Sequence, residues 1–185
     1  MDSSVKTSTA KVYRVRVNKY NWADITIDEW DSGGSFKCIS DYGNYSYIWS
    51  SIGEACLREF LISLDYYYFM NKAHHSKGGH RFSIKNTVIE IKNEIIKQRR
   101  TRDLTDENAR RCFNETIDEI SDINEAEYIA LFPNTVIASI VYNDDYESFP
   151  CDNEDIPECR GFWDVIWPVI CAYWKNELIL SGIIS

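Results

Sequence analysis

Hydrophobic and polar residues alternate with a period of two through the first fifty positions, and then the period changes. Tyr13, Val15 and Val17 fall on one side of residues 10–17 while Arg14 and Arg16 fall on the other, the signature of a half-buried strand. Ala23, Ile25 and Ile27 repeat the pattern over 22–28, Asp31-Ser32-Gly33-Gly34 supplies a turn, and Phe36 and Cys38 share one face of 35–40. Tyr45, Tyr47 and Trp49 mark a fourth strand over 44–49. Four strands in succession predict an antiparallel meander.

From Glu54 onward the spacing is helical. Leu57, Phe60, Leu61, Leu64 and Tyr68 form one stripe of a helix running to about Ala73, which would cover the apolar face of the meander. The stretch from His74 to His80 reads as a breaker loop, because Gly78 and Gly79 adjoin and nothing in it is apolar. Ser83 is placed to cap a second helix with the stripe Ile84, Val88, Ile91 and Ile95, ending near Arg100. Thr105, followed by Asp106 and Glu107, starts a third, with Ala109, Cys112, Phe113, Thr116, Ile117 and Ile120 as its face. A short fourth, Glu125 to Phe132, stops before Pro133. Over 134–142 the residues Val136, Ile137, Ile140 and Val141 fit a helical stripe, while their β-branched character suits a buried strand; helix is the preferred reading. Asp144 to Glu158 reads as a loop with two prolines. The last helix, from about Arg160 to Leu178, is Trp-rich and apolar over most of its circumference, with a kink expected at Pro168.

The fold class predicted from these patterns is α+β. A small antiparallel sheet over about residues 10–50 packs on a helix and is followed by a mostly helical C-terminal part. The organisation is that of a single domain over 1–185, with sheet and helix in 10–73, a helical, charge-segregated insertion in 84–142 and the Trp-rich helix in 160–178.

Composition narrows the class. With 44% hydrophobic and 14% aromatic residues in 185, the chain can bury enough apolar surface to offset its conformational entropy, which excludes global disorder. The segment from Met1 to Thr9 is a polar arm without the apolar core of a secretory signal, and no window approaches the ~20 apolar residues of a spanning helix. The expectation is a soluble protein of the cytoplasm, with no membrane partner. Cys38, Cys56, Cys112, Cys151, Cys159 and Cys171 show no CxxC spacing, so they do not form a zinc framework. They read as free thiols, four of them acting as small hydrophobes, with Cys151 and Cys159 able to pair under oxidising conditions.

Charge changes the picture more than composition does. The formal net charge of −9 argues against a chain that coats nucleic acid with its whole surface. It conceals a division, however. Residues 72–102 carry nine basic side chains against Glu90 and Glu94, and residues 103–158 carry sixteen acidic ones against Arg110 and Arg111. Solvated helix faces account for such runs most simply. The sharper reading is an acidic partner-binding surface made of Asp118, Glu119, Asp122, Glu125 and Glu127 with Asp144, Asp145, Glu147, Asp152, Glu154, Asp155 and Glu158. Such a surface would imitate the phosphate rows of DNA or dock into a basic channel, because residues 143–158 hold seven carboxylates and no neighbouring cation. The alternative site is basic: Lys77, Arg81, Arg99, Arg100 and Arg102 contacting phosphate. Phe82 alone between Lys72 and Arg102 could stack on a base, so a single-strand platform is not supported. Pairing of the two segments within one molecule, or between copies in a homo-oligomer, is equally natural.

Catalytic chemistry is not signalled. No phosphate loop, GxGxxG, HExxH or GxSxG occurs. His74, His75 and His80 are the only dense potential metal ligands, but adjacent residues on a glycine loop rarely converge on one ion. Cys38 with Asp41 and a histidine could be drawn as a nucleophile site, as in most chains with a few such residues. The expectation is therefore no enzyme and no cofactor. Tyr42, Tyr45, Tyr47, Trp49, Tyr66, Tyr67, Tyr68 and Phe69 exceed what one sheet–helix layer needs for its core, so some of them are expected at the surface, where Tyr and Trp dominate protein interfaces.

The run Ser40-Asp41-Tyr42-Gly43-Asn44-Tyr45-Ser46-Tyr47-Ile48-Trp49, followed by Gly53, Phe60-Leu61, Asp65, Tyr68 and Lys72, resembles a group of small bacteriophage and prophage accessory proteins. In these a strand ending in YG…SYxW is followed by a helix with FL…D…Y…K. The similarity spans Trp22 to Lys72 and is structural in character. It implies a phage protein, and by association with acidic phage accessory proteins an inhibitor of host defence of the anti-CRISPR or anti-restriction type. The leading expectation is thus a non-enzymatic phage inhibitor that binds a host defence or nucleic-acid-handling complex through its acidic surface, without binding nucleic acid itself. The alternative is a nucleic-acid-binding or regulatory phage protein using Lys72–Arg102. A structural phage protein and a metal-dependent enzyme rank below these.

Overall fold

A computed structural model describes residues 5, 7–54, 56–74 and 77–184, with Lys77 described by its backbone alone. In chain order the elements are β1 (Lys11–Arg16), β2 (Trp22–Trp30), β3 (Gly33–Ser40), β4 (Gly43–Trp49), α1 (Leu57–Ser63), α2 (Tyr66–Ala73), β5 (His80–Phe82) and α3 (Ile84–Thr101). There follow α4 (Asp106–Glu115), α5 (Glu125–Leu131), α6 (Val136–Tyr142), β6 (Asn153–Asp155), α7 (Pro157–Gly161) and α8 (Trp167–Leu180). The fold is α+β. The chain divides into two compact units, one of residues 1–79 and 155–185 and the other of residues 80–154.

Unit 1 is built on a four-stranded antiparallel meander in the order β1-β2-β3-β4. Register follows the alternation of the sequence: Val15 lies opposite Ala23, Ile25 opposite Cys38 and Cys38 opposite Tyr45. All five are buried on one face of the sheet. Against that face pack Leu57 and Leu61 of α1, Phe69 and Met70 of α2, and Trp167, Ile170 and Trp174 of α8. Phe69 lies 4.4 Å from Trp167 and Tyr45 stacks on Phe162 at 4.3 Å, so the surplus aromatics of the sequence are spent largely in this core. Tyr67 and Tyr68 remain 55% and 40% exposed. Each fully buried large side chain is worth about 1.5–3 kcal/mol relative to exposure. A charged clasp ties the layer together. The Arg58 guanidinium, 8% exposed, meets Glu29 of β2 at 3.0 Å and Glu177 of α8 at 2.8 Å. Glu177 also accepts from Lys11 and from the Tyr13 hydroxyl.

Two expectations in this unit are corrected. The single helix read over 54–73 is two helices, because Leu64 is extended and Asp65 caps a new helix by accepting from the Tyr68 amide at 2.8 Å. The stripe continued across the break because both helices pack on the same core. The Trp-rich helix read from Arg160 to Leu178 consists of α7, a π-helical turn over Phe162–Ile166, and α8 with Pro168 in its first turn. Proline has no N–H to donate, and the widened turn ahead of it absorbs the missing bond.

Unit 2 is helical, with a two-stranded ribbon of β5 and β6 that belongs to it apart from Asp155. The ribbon corrects the two loop readings in part, because His80 ends the first in β5 and Asn153–Asp155 of the second form β6; strands of three residues are too short to show a period. The core is Ile91, Ile95, Cys112, Ile120, Tyr128, Phe132, Ile137 and Val141. Ser83, Thr105, Asn124 and Thr135 cap α3, α4, α5 and α6, each accepting a backbone N–H of the first turn. Residues 134–142, left between helix and strand by their composition, form α6. The third helix passes from α4 into a π-helical turn over Thr116–Ile120. A wider turn keeps Cys112, Thr116 and Ile120, four residues apart, on the buried face, while Ile117, expected there too, is 45% exposed.

Cys38, Cys112 and Cys159 are buried free thiols, and Cys151 is exposed. Among the described residues no helix is long and apolar enough to cross a membrane.

Candidate partner-binding surface

Unit 2 holds nine basic against sixteen acidic side chains, a formal charge of −7 within 75 residues. Local pairing engages three charges of each sign and leaves that net charge unchanged. Arg81 meets Glu154 at 2.8 Å, Lys97 meets Glu94 at 2.9 Å one helical turn away, and Arg99 pairs with Asp106. The predicted acidic surface and the predicted basic site therefore meet at Arg81–Glu154, and the charge division is partly structural.

The remaining predicted acidic residues have separate fates. Asp118, Glu119 and Asp122 are exposed at the end of the α4 region, with no ion pair or side-chain hydrogen bond among the described residues. Glu127 closes the capping box of α5 with Asn124, and Glu125 is partly buried in the first turn of the same helix. Asp144 and Glu147 are exposed, and neither side chain is bonded among the described residues. Asp145 is occupied locally, accepting from the Glu147 amide at 3.1 Å and the Ser148 hydroxyl at 2.5 Å. Asp152 is half-buried, its amide donating to the Thr87 hydroxyl and its carbonyl accepting from the Ser83 amide. Asp155 and Glu158 belong to unit 1, where Asp155 holds Arg160 at 2.6 Å and Glu158 is exposed.

Of the basic set, Arg100 and Arg102 are exposed and without an ion pair among the described residues, and Arg102 sits in the left-handed conformation that ends α3. The side chain of Lys77 and all of His75 lie outside the described residues. His74 is half-buried with its ring 5.9 Å from Tyr45. Among the described residues no group of three or more His, Cys, Asp or Glu is placed to hold a metal ion.

Three carboxylates meet at the C-terminal end of α6, and of these only Asp145 belongs to the predicted acidic set. A pocket of about 550 Å³ is lined there by Glu90 and Glu94 of α3, Tyr142 and Asn143, and Asp145 and Ser148 of the following turn. Asn143 and Asp144 both have positive φ, 51° and 57°, which reverses the chain directly after the helix and brings the turn back toward α3. Asn and Asp tolerate this conformation better than other side chains. Gln98 fixes the floor by donating to the Val141 carbonyl at 2.9 Å. The Glu94 carboxyl is held below its ordinary value by hydrogen bonds from Lys97 and Gln98, so it is an anion at neutral pH. Burial, reinforced by the negative charges of Glu94, Glu90 and Asp152, pushes the Tyr142 phenol up, so it keeps its proton. Its hydroxyl oxygen is buried and has no hydrogen-bond partner among the described residues. Carboxylates around a phenol suit a cationic group such as a guanidinium or an ammonium.

Glu90 and Glu94 were counted in the sequence only as exceptions within a basic segment. Their i, i+4 spacing, which puts both on one helix face, was the signal that could have found them.

No curated protein and no solved structure matches the chain. One family profile does, described as a phage family, and it aligns with residues 3–176, extending the phage resemblance of Trp22–Lys72 to nearly the whole sequence. The chain belongs to this phage family, Phage_phiTE_072.

Proposed function

We propose that the protein is a non-enzymatic phage inhibitor of a host defence system, which binds a nucleic-acid-handling complex through the acidic surface of unit 2. The observation that carries the reading is the pocket at the end of α6, where Glu90, Glu94 and Asp145 surround the protonated Tyr142. Beside it Asp144 and Glu147 are exposed and unpaired. Proteins that grip nucleic acid present arginines and lysines where phosphates lie, and a carboxylate pocket takes the same side chains. Phage membership supplies the setting in which such competition is useful.

The test is plating of a susceptible phage on host strains that each carry one characterised restriction or CRISPR system, with and without this protein. Restored plating on at least one strain is the expected result. Unchanged plating across the panel, with the protein expressed and folded, contradicts the reading.

A second reading rests on Arg100 and Arg102, which remain exposed and unpaired in an acidic unit. They would contact phosphate directly. A gel shift with generic duplex and single-stranded DNA at low salt separates the two, because the inhibitor leaves both probes unshifted and the second reading requires a shift.

A further inference from the structure

We infer that unit 2 carries a self-association site, in which the groove between α3 and α4 takes helix α5 of a second copy. The groove, about 440 Å³, has Ile96 and Phe113 on its floor and Arg99, Arg100 and Arg110 on its rim. Every charged residue lining it is an arginine, in a unit whose net charge is negative. Arg99 pairs with Asp106, but among the described residues Arg100 and Arg110 have no ion pair. The apolar floor extends beyond the groove. On α3 the stripe runs back from Ile96 through Lys92, whose ammonium lies 5.2 Å over the Phe113 ring, to Ile89. Ile89, Ile96 and Ile117 are 48%, 42% and 45% exposed. Helix α3 thus leaves Ile89 and Ile96 in water beside Phe113 of α4, with Ile117 exposed in the turn that follows, and together they offer a seat for a further helix.

The occupant is identified by complementarity within the same chain. Helix α5 buries Tyr128 and turns the opposite face outward, with Ala126, Ala130 and Ile129 along it and Ile129 61% exposed. Its entry carries Asp122, exposed and unpaired, and Glu127 at the cap. Small residues let a second backbone approach, isoleucine fills an apolar floor, and carboxylates meet the arginine rim. Phosphate-bearing ligands fit the rim but leave Ile96 and Phe113 uncovered. The contact is independent of the Asp144–Glu147 turn proposed for the host partner, so either can fail alone.

Sedimentation of the full chain tests it. At low salt, where the Debye length reaches ~30 Å, the wild type should sediment as an assembly that shifts toward monomer near 1 M salt. Arg100→Glu/Arg110→Glu should be monomeric under both conditions, and so should Asp122→Lys/Ala126→Lys. An equimolar mixture of these two variants should reassemble, because each supplies the surface the other lacks with charges reversed. Misfolded chains cannot give that recovery. If a double variant melts before assembly can be read, Ile96→Ser replaces it, an exposed position whose change should also favour monomer. A monomeric wild type at low salt, or folded variants that stay assembled or fail to recombine, overturns the inference.

Discussion

Arg81 and Glu154 pair at 2.8 Å between the central residues of β5 and β6, joining one residue of the cationic segment to one of the acidic segment. The Glu154 carboxylate also accepts from the Ser83 hydroxyl at 3.0 Å, and Ser83 caps α3. The hydrogen bonds from Arg81 and Ser83 hold this carboxyl below its ordinary value. Both side chains are substantially exposed, so the ion pair by itself adds little, and positioning of the cap is its larger effect. Glu154→Ala is therefore expected to lower the melting temperature more than Arg81→Ala does, read by circular dichroism at pH 7. Equal effects would show that the Ser83 contact contributes nothing.

The Arg58 clasp is different, because its guanidinium is nearly buried between two carboxylates. Removing one partner of a buried pair strands the other charge, so Arg58→Ala should cost about 3 kcal/mol in urea denaturation. Burial pushes Glu177 up, but the Lys11 hydrogen bond and the charge of Arg58 outweigh it and leave its carboxyl below the ordinary 4.5. A depressed carboxylate stabilises the fold fully above the unfolded value and loses that contribution as pH falls through the folded one. Stability should thus hold above pH 4.5 and decline below it, and the decline should be shallower in Arg58→Ala.

Gly33 begins β3 where a side chain has no room. A Cβ there would lie 2.1 Å from the Trp49 carbonyl oxygen of β4. Backbone cannot yield as a flexible side chain can, so Gly33→Ala should destabilise by about 2 kcal/mol or more. Gly53→Ala, where a Cβ meets nothing within 4 Å, should leave the melting temperature almost unchanged.

Burial decides which thiols are protected from modification. Burial pushes Cys112 up to about 11 and Cys38 and Cys171 up to about 12, whereas Cys151 is exposed. Thiolate is the reacting form, so a thiol reagent at pH 8 should modify Cys151 first and reach Cys38 and Cys112 only on unfolding. Early labelling of Cys38 would mean that the sheet opens locally.

The sheet was legible because one of its faces is buried and each strand is long enough to show it; Ile25, Cys38 and Tyr45 lie opposite one another as their alternation required. Helix starts were legible where a side chain caps them, at Ser83 and Thr105. Asp65 carries the same signal and was overridden by the apolar stripe crossing it. The ribbon was invisible because His80–Phe82 and Asn153–Asp155 are far apart in sequence and too short for a period. Charge was legible as a count but not as an arrangement. Glu154 and Asp106 are paired with arginines, and the pocket at the end of α6 depends on two consecutive left-handed residues, Asn143 and Asp144.

The most direct test compares two variants in a host strain whose defence the wild type relieves. Glu90→Gln/Asp144→Asn/Glu147→Gln removes three unpaired carboxylates in or beside the pocket while keeping side-chain shape, and Arg100→Gln/Arg102→Gln does the same for the unpaired cations. Loss of charge complementarity at an interface typically costs tenfold or more in affinity, so the acidic variant should lose at least ~10-fold in phage plating while the basic one keeps wild-type plating. Full activity in the acidic variant, with loss in the basic one, would contradict the assignment of function to the acidic surface.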